Sequence, residues 1–175
     1  MAATWTAYFP GIAFAATKNM ASILNGGSRV LRIRRCGFLN AQSAAVTGVA
    51  CYGEIRKYTG ASLSGNTPVT PISHDSTTGA LSSVTCASAG TVAGTEVGSG
   101  PLRRYFWSSD EPKLSTAQNN EMEAFPMLNV QWDAGYGDSN VEPVSIRANE
   151  MFCVYNITGA AGLLDVWIEF TDEAS

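Results

Sequence analysis

Residues 163–171 read LLDVWIEFT, and apolar and polar side chains alternate along this stretch. Every second residue from Leu164 to Phe170 is apolar, whereas Asp165 and Glu169 fall on the opposite face with a tryptophan between them. Because successive side chains of an extended chain point to opposite faces, a period of two is typical of a strand with one buried face. The stretch therefore predicts a β-strand that packs one face on a core.

The same period occurs in RVLRIRRCGFL (29–39), where Leu31 and Ile33 share one face and Arg32 and Arg34 share the other. This pattern predicts a half-buried antiparallel strand. Further strands are predicted at residues 46–58, 80–87, 102–108, 127–132 and 143–157, the last with a turn at 148–150. About eight strands without an alternating helical pattern predict an all-β fold, a two-sheet antiparallel sandwich of jelly-roll type.

Glycine-rich and Ser/Thr-rich segments separate these runs. Residues 59–79 and 90–101 are predicted to be loops because turn-forming residues dominate them. Within the strand at 46–58, Gly48 and Gly53 are predicted to be bulge or close-approach positions, since glycine otherwise weakens a strand.

The chain has 175 residues, which predicts one domain, and we place the β-sandwich at residues 29–175. Residues 1–28 differ from the rest because they carry several aromatic residues but a single charge, Lys18. Two interpretations remain open: a first strand that packs on the subunit's own core, or an N-terminal arm that docks on a neighbouring subunit. Residues 15–24 are predicted to form a brief helix that Asn25-Gly26-Gly27 ends.

Charged residues make up 15% of the chain, against about 25% in a typical soluble protein. Residues 1–104 hold nine Lys or Arg and three Asp or Glu, a net charge of +6, whereas residues 105–175 hold two and twelve, a net charge of −10. Such asymmetry can indicate nucleic-acid binding, or pairing of basic and acidic faces within or between subunits. We favour pairing and predict no nucleic-acid partner, because the basic residues are scattered through predicted strands.

The chain contains four cysteines without a C-x-x-C pair: Cys36, Cys51, Cys86 and Cys153. With His74 as the only histidine, this spacing does not fit a zinc site, and the apolar surroundings predict free buried thiols. Free thiols are typical of a reducing compartment. No apolar run approaches about 18 residues, so no membrane-spanning helix is predicted. The N-terminal stretch lacks a basic region and is interrupted at Pro10-Gly11, which argues against a signal peptide.

The segment SHDS (73–76) places the residue types of a serine-hydrolase triad side by side. Neighbouring residues cannot align a nucleophile, a base and an orienting acid, and the chain has no G-x-S-x-G motif. We therefore predict that His74 and Asp75 shape a loop through hydrogen bonds to the backbone. Phosphate-binding glycine motifs are absent, whereas the acidic C-terminal part leaves a glycosidase carboxylate pair open. We predict no catalytic residue and no cofactor.

The segment WDAGYGDSNVEP (132–143) gathers oxygen-bearing side chains in a glycine-rich loop. Read as a calcium loop that starts at Asp138, it has a suitable Asn140 at the third position. However, Pro143 stands where a glycine is needed and Asn149 where a glutamate is needed, so no metal site is predicted. We predict instead a structural turn that glycine geometry, Asp and Asn caps and a strand-initiating proline define. Its residues are Asp133, Gly135, Asp138, Asn140 and Pro143.

Five stretches that cover most of residues 18–170 are KNMASILNGGSRVLRIRRCGFLN (18–40), PISHDSTTGAL (71–81), RRYFWSSDEP (103–112), QWDAGYGDSNVEPVSIRANE (131–150) and LLDVWIEF (163–170). In pattern and order they resemble small virion proteins of tailed bacteriophages that are called capsid decoration or cement proteins. The resemblance implies a β-sandwich or jelly-roll module, often trimeric, on the outside of an icosahedral shell. It also implies a turn-forming role for Trp132, Asp133, Gly135, Asp138, Asn140, Glu142 and Pro143.

The resemblance thus implies a non-enzymatic virion protein on the capsid surface, assembled in the bacterial host cytoplasm, whose partner is the major capsid protein. The opposite charges of the two parts of the chain and its low charged fraction predict a homotrimer. Candidate contacts to the shell or to other subunits are Trp5, Tyr8, Phe9, Phe14, Arg32, Arg34, Arg103 and Arg104. Three alternatives remain open. The chain could be a tail, collar or fibre-attachment component, a glycan-binding jelly roll with exposed aromatics such as Trp107 or Tyr136, or a glycan-cleaving enzyme.

Overall fold

The structure, a computed structural model, describes residues 2–13, 15–41, 50–108, 129–134, 142–158 and 162–173. All regular secondary-structure elements in these ranges are β-strands. None of the described residues forms a helix that could cross a membrane. The described residues form thirteen strands: β1 (Ala3–Ala13), β2 (Lys18–Asn25), β3 (Val30–Asn40), β4 (Ala50–Ser64), β5 (Thr67–Val69), β6 (Ile72–Ser73), β7 (Val84–Ser88), β8 (Thr91–Glu96), β9 (Arg103–Ser108), β10 (Asn129–Asp133), β11 (Val144–Ile146), β12 (Glu150–Asn156) and β13 (Leu163–Glu173).

The strands form two antiparallel sheets that pack face to face. The first sheet has the order β10-β3-β13-β1-β6, with β11 also on β3, and the second has the order β5-β7-β2-β12-β4-β8, with β9 also on β4. The early strands β1 and β3 therefore flank the late strand β13, while β2 and β4 flank β12. This nesting of early strands around late ones, one set in each sheet, is a jelly-roll arrangement. The predicted all-β sandwich is confirmed.

The strand count exceeds the prediction of about eight because short strands lie in segments predicted to be loops. The strands β5, β6 and β8, together with the second half of β4, fall within residues 59–79 or 90–101, whereas β7 overlaps the strand predicted at 80–87. These pieces are short and rich in Ser, Thr and Gly, so they carry no readable alternation of apolar and polar residues. They are strands because β5 pairs with β7, β6 pairs with β1, and β8 pairs with the second half of β4.

The core between the sheets contains the apolar face that the alternation predicts. Leu164, Val166, Ile168 and Phe170 of β13 have no exposed surface. From β3, Leu31 and Ile33 join them, with Arg32 and Arg34 on the opposite, half-buried face. The fully buried large side chains are Phe9, Phe38, Phe152, Phe170, Met20, Ile23, Leu31, Ile33, Ile55, Ile146, Met151 and Leu164.

The N-terminal segment is part of the sandwich. Strand β1 lies between β13 and β6, and its Trp5 and Phe9 are 5% and 0% exposed within the core cluster. Of the two interpretations of residues 1–28, the structure therefore shows the first strand. The brief helix predicted over 15–24 is wrong, because β2 pairs with β7 on one side and β12 on the other. Neighbouring strands thus override the local helical pattern.

The segment WDAGYGDSNVEP connects two strands that share one partner. Strand β10 pairs with residues 35–38 of β3, and β11 pairs with residues 31–33 of the same strand. The two strands therefore lie one after the other along the same edge of β3. Asp133 ends β10 and Pro143 directly precedes β11, as the predicted turn requires. Gly135, Asp138 and Asn140 lie outside the described residues.

The outer side of the second sheet has a small apolar cluster of its own. Tyr58, Met151 and Cys153 are its buried members. Strand β4 continues beyond Gly60, which has a φ of 58°, and its second half packs against this cluster together with Val92 of β8. The second half of β4, paired with β8, therefore covers part of the outer side of the second sheet.

Candidate interaction face

The outer side of the first sheet presents an aromatic pair at its centre. Tyr8 of β1, Trp167 of β13 and Gly37 of β3 lie in one cross-strand row. A Cβ atom on Gly37 would lie 2.6 Å from Cε2 of Trp167, so the indole ring rests directly on the glycine backbone. Trp167 is half-buried and Tyr8 is 42% exposed. Because Gly37 has no side chain, the indole ring of Trp167 packs directly on the sheet in a fixed position.

A carboxylate holds Tyr8 in place beside Trp167. The Tyr8 hydroxyl donates a hydrogen bond to Oδ2 of Asp165, and the backbone N–H of Gly11 donates to Oδ1 of the same residue at 2.6 Å. The hydrogen bond to Asp165 raises the pKa of Tyr8, and desolvation and the negative charge of Asp165 act in the same direction. The Tyr8 ring is therefore exposed, and its hydroxyl is held in place by Asp165.

Three arginines of β3 lie on the same outer side of the sheet, and each is held by an acidic partner. Arg35 is opposite Glu169, two residues from Trp167, and Arg32 is opposite Thr171, four residues from it. Arg32 and Arg34 both pair with Glu173, the second with 2.9 Å between Nη2 and Oε1. Desolvation opposes ionisation of Glu173, but the hydrogen bond and charge of Arg32, with help from Arg34, lower its pKa. Arg35 pairs with Asp133 at 3.1 Å between Nε and Oδ2. Leu39 of β3 is half-buried and lies opposite Asp165 on the same outer side. We call Tyr8, Leu39, Trp167, Arg32, Arg34 and Arg35 the aromatic–arginine face.

The arginine pairs also account for the uneven distribution of charge along the sequence. Among the described residues, five ion pairs join the basic residues 1–104 to the acidic residues 105–175. Besides the three on the aromatic–arginine face, they are Arg29–Asp172 and Lys57–Glu150. The two oppositely charged parts of the sequence thus meet within one subunit, which is one of the two forms of pairing that we favoured.

The structure separates the residues predicted as contacts. Trp5 and Phe9 pack in the core cluster, so their rings do not form an outward contact surface in this structure. Phe14 lies outside the described residues. Arg103 and Arg104 belong to β9 in the second sheet, where Arg104 pairs with the buried Glu54 at 2.9 Å. Tyr8, Arg32 and Arg34 remain together on the aromatic–arginine face; Leu39, Arg35 and Trp167 were missed.

A signal for Trp167 was present in the sequence. The alternation of LLDVWIEFT places this tryptophan on the polar face between Asp165 and Glu169, where a large aromatic residue is unexpected unless it contacts something. By contrast, no local pattern shows that Trp167 packs on Gly37, because the two residues meet only through the pairing of β13 with β3.

The three residues of the apparent triad serve the local loop. Oδ1 of Asp75 accepts hydrogen bonds from the N–H and the hydroxyl of Thr77, both at 2.8 Å, and these bonds lower the pKa of Asp75. Oγ of Ser73 donates to the carbonyl of Asp75, while Nε2 of His74 hydrogen-bonds Thr6 at 2.7 Å. The predicted loop-shaping role of Asp75 is confirmed; His74 instead hydrogen-bonds a side chain of β1.

The cysteines in the described part of the chain are free and buried, as predicted. Cys36, Cys86 and Cys153 form no disulfide, and burial raises the pKa of all three thiols, that of Cys86 to about 12. The side chain of Cys51 is not described. No group of three His, Cys, Asp or Glu residues among the described ones could hold a metal ion.

Comparison with known proteins finds no match. No protein-family model, no curated protein and no solved structure matches it. The fold and the site therefore define only a class, a jelly-roll β-sandwich with an aromatic- and arginine-rich outer face. The side chain of Trp107 and the whole of Tyr136, the aromatics considered for glycan binding, lie outside the described part.

Proposed function

We propose that the chain is a non-enzymatic structural protein of a tailed bacteriophage virion, bound to the outside of the capsid shell as a decoration or cement protein. Its partner would be the major capsid protein. The observation that carries this proposal is the aromatic–arginine face, since Trp, Tyr and Arg are the residue types that dominate protein–protein binding energy. The resemblance of five sequence stretches to decoration proteins supplies the kind of partner.

The contacts around Trp167 and Tyr8 favour binding to a rigid surface such as a shell. Trp167 is seated on Gly37, and Tyr8 is tethered to Asp165. Side chains that are already fixed lose little conformational entropy on binding, so more of the contact energy appears as affinity. The flanking arginines are half-exposed and already paired with acids, which suits a polar rim around an aromatic centre.

The test has two steps. Electron microscopy of virions of the phage that encodes the chain should locate it on the outer surface of the head, in many copies. Purified chain should also co-sediment with heads assembled without it. Its absence from virions, or a location in the tail or collar, would contradict the proposal, and the second result would favour the tail alternative.

Variants identify the binding face. Tyr8→Ala and Trp167→Ala should each weaken binding to heads by about thirtyfold, as expected for a hot-spot residue worth about 2 kcal/mol. Tyr52→Ala is the matched control, because Tyr52 is 56% exposed but belongs to the second sheet. If the Tyr8 and Trp167 variants are folded and bind as well as the control, the aromatic–arginine face is not the contact.

A further inference from the structure

A cleft of about 460 Å³ opens at one end of the sandwich, apart from the aromatic–arginine face. The start of β1, the end of β13 and the loop between β6 and β7 form its walls. Its volume lies within the range of about 300–1,000 Å³ that is typical of small-ligand sites.

Two buried polar atoms of the cleft walls lack a hydrogen-bond partner. They are the indole Nε1 of Trp5 and Oδ1 of Asp172, in side chains whose residues are only 5% and 7% exposed. The register pairs Ala3 with Asp172, so Trp5 lies two residues further along the adjacent strand. Buried donors and acceptors are almost always paired in folded proteins, which makes a neighbouring unpaired donor and acceptor unusual.

The remaining polar groups of the cleft carry both signs of charge. Arg29 holds the second oxygen of Asp172 at 3.0 Å and is itself half-exposed, while His74 and Asp75 are exposed at the other wall. A ligand with one strong charge would meet repulsion as well as attraction here. A neutral ligand whose groups can each donate and accept a hydrogen bond suits this wall better.

We propose that the cleft binds a neutral sugar unit through its hydroxyl groups. A hydroxyl both donates and accepts, so the hydroxyls of a sugar can accept from Nε1 of Trp5 and donate to Oδ1 of Asp172. Both atoms are enclosed in the free chain, so they gain this partner as the wall adjusts to the entering group. Arg29 and Asp75 serve further hydroxyls as a donor and an acceptor. This site is independent of the proposed shell contact, and either can fail without the other.

The test follows the indole N–H signals of the chain by ¹H–¹⁵N NMR during titration with glucose, galactose, mannose and N-acetylglucosamine at millimolar concentrations. The four tryptophans give distinct indole signals, and the Trp5→Phe spectrum assigns that of Trp5 by its disappearance. At least one sugar should shift the Trp5 signal in a saturable way. Trp5→Phe should bind that sugar about fivefold more weakly, as expected for one lost hydrogen bond.

A blocking variant decides the matter even where Trp5→Phe does not fold. Gly79 lines the cleft, and a Cβ atom there would meet nothing within 4 Å, so Gly79→Leu fills space without disturbing the backbone. It should abolish the shift. Gly100→Leu is the control, because Gly100 is equally open and lies outside the cleft. If none of the sugars shifts the Trp5 signal, or if Gly79→Leu binds like the control, the proposal is wrong.

Discussion

At the scale of single residues, two glycines make room for aromatic rings on their cross-strand partners. On the outer side of the first sheet, Trp167 covers Gly37, and in the core Tyr105 covers Gly53. An aromatic ring over a cross-strand glycine replaces the packing that the missing side chain would have supplied. The sequence marked Gly53 as a close-approach position, but its partner could not be read, since Tyr105 is distant along the chain. Gly48, marked with it, lies outside the described residues.

Gly53→Ala tests the tighter of these two contacts. A Cβ atom at this position would lie 1.9 Å from Cζ of Tyr105, so the ring must leave its place against Phe38, from which its centroid is 4.6 Å away. We expect a loss of about 3 kcal/mol in the free energy of unfolding, at the upper end for overpacking a core. Urea denaturation measures it. Gly100→Ala, with open space around it, should change stability little; equal stability of the two variants would contradict the contact.

At the scale of elements, prediction succeeded where one face of a strand is buried and failed elsewhere. The alternation in β13 and β3 correctly assigned each residue to the core or to the outer face. Strand β2 is buried on both faces, so it has no period of two and resembled a helix. The short strands β5, β6 and β8 owe their structure to their neighbours rather than to their composition, whereas β7 falls where a strand was predicted. Only part of the aromatic–arginine face was predicted. Alternation in β3 placed Arg32 and Arg34 on the outer side, whereas the packing of Trp167 on Gly37 depends on strand register and could not be read from the sequence.

The ion pairs of Arg32 and Arg34 on β3 with Glu173 on β13 predict that the folded protein loses stability in acid. The pKa of Glu173 is lowered from its ordinary value of 4.5, so its contribution to folding is complete above pH 4.5 and disappears as the pH falls through the lower folded-state value. We expect Glu173→Gln to be less stable than the parent at neutral pH and to lose less stability on acidification.

Thermal unfolding between pH 3 and pH 7 measures this difference for both chains. Glu142→Gln, in the exposed residue that precedes Pro143, is the control and should follow the parent curve. Parallel curves for the parent and Glu173→Gln would show that the ion pairs with Arg32 and Arg34 add nothing to stability.

At the scale of the whole molecule, the N-terminal strand belongs to the fold and is not an arm. Ala7 and Ile12, with Trp5 and Phe9, place β1 in the same core cluster as β13. Deleting residues 1–14 should therefore unfold or precipitate the chain, because burying each large apolar side chain contributes roughly 1.5–3 kcal/mol. Circular dichroism and solubility measure the outcome. A folded, soluble deletion variant that no longer binds heads would restore the docking-arm interpretation.

The predicted homotrimer now depends on less evidence than the sequence indicated. The homotrimer was predicted from the opposite charges of the two parts of the chain, but among the described residues five ion pairs join these parts within one subunit. The low charged fraction of 15% and the exposed Tyr52, Ile72 and Leu102 remain as reasons for association. Sedimentation equilibrium at micromolar concentration should give three times the mass of the chain. A stable monomer under these conditions would exclude the trimer.

The position of β13 also determines when the first sheet can be completed during synthesis on the ribosome. Strands β1 and β3 pair with β13 and not with each other, although both are translated well before it. Until β13 emerges from the exit tunnel, the apolar sides of β1 and β3 have no common neighbour and stay open to other nascent chains. Pairings across such sequence separations form slowly. Expression at low temperature or with added chaperones should therefore raise the yield of soluble chain more than a change of buffer after lysis.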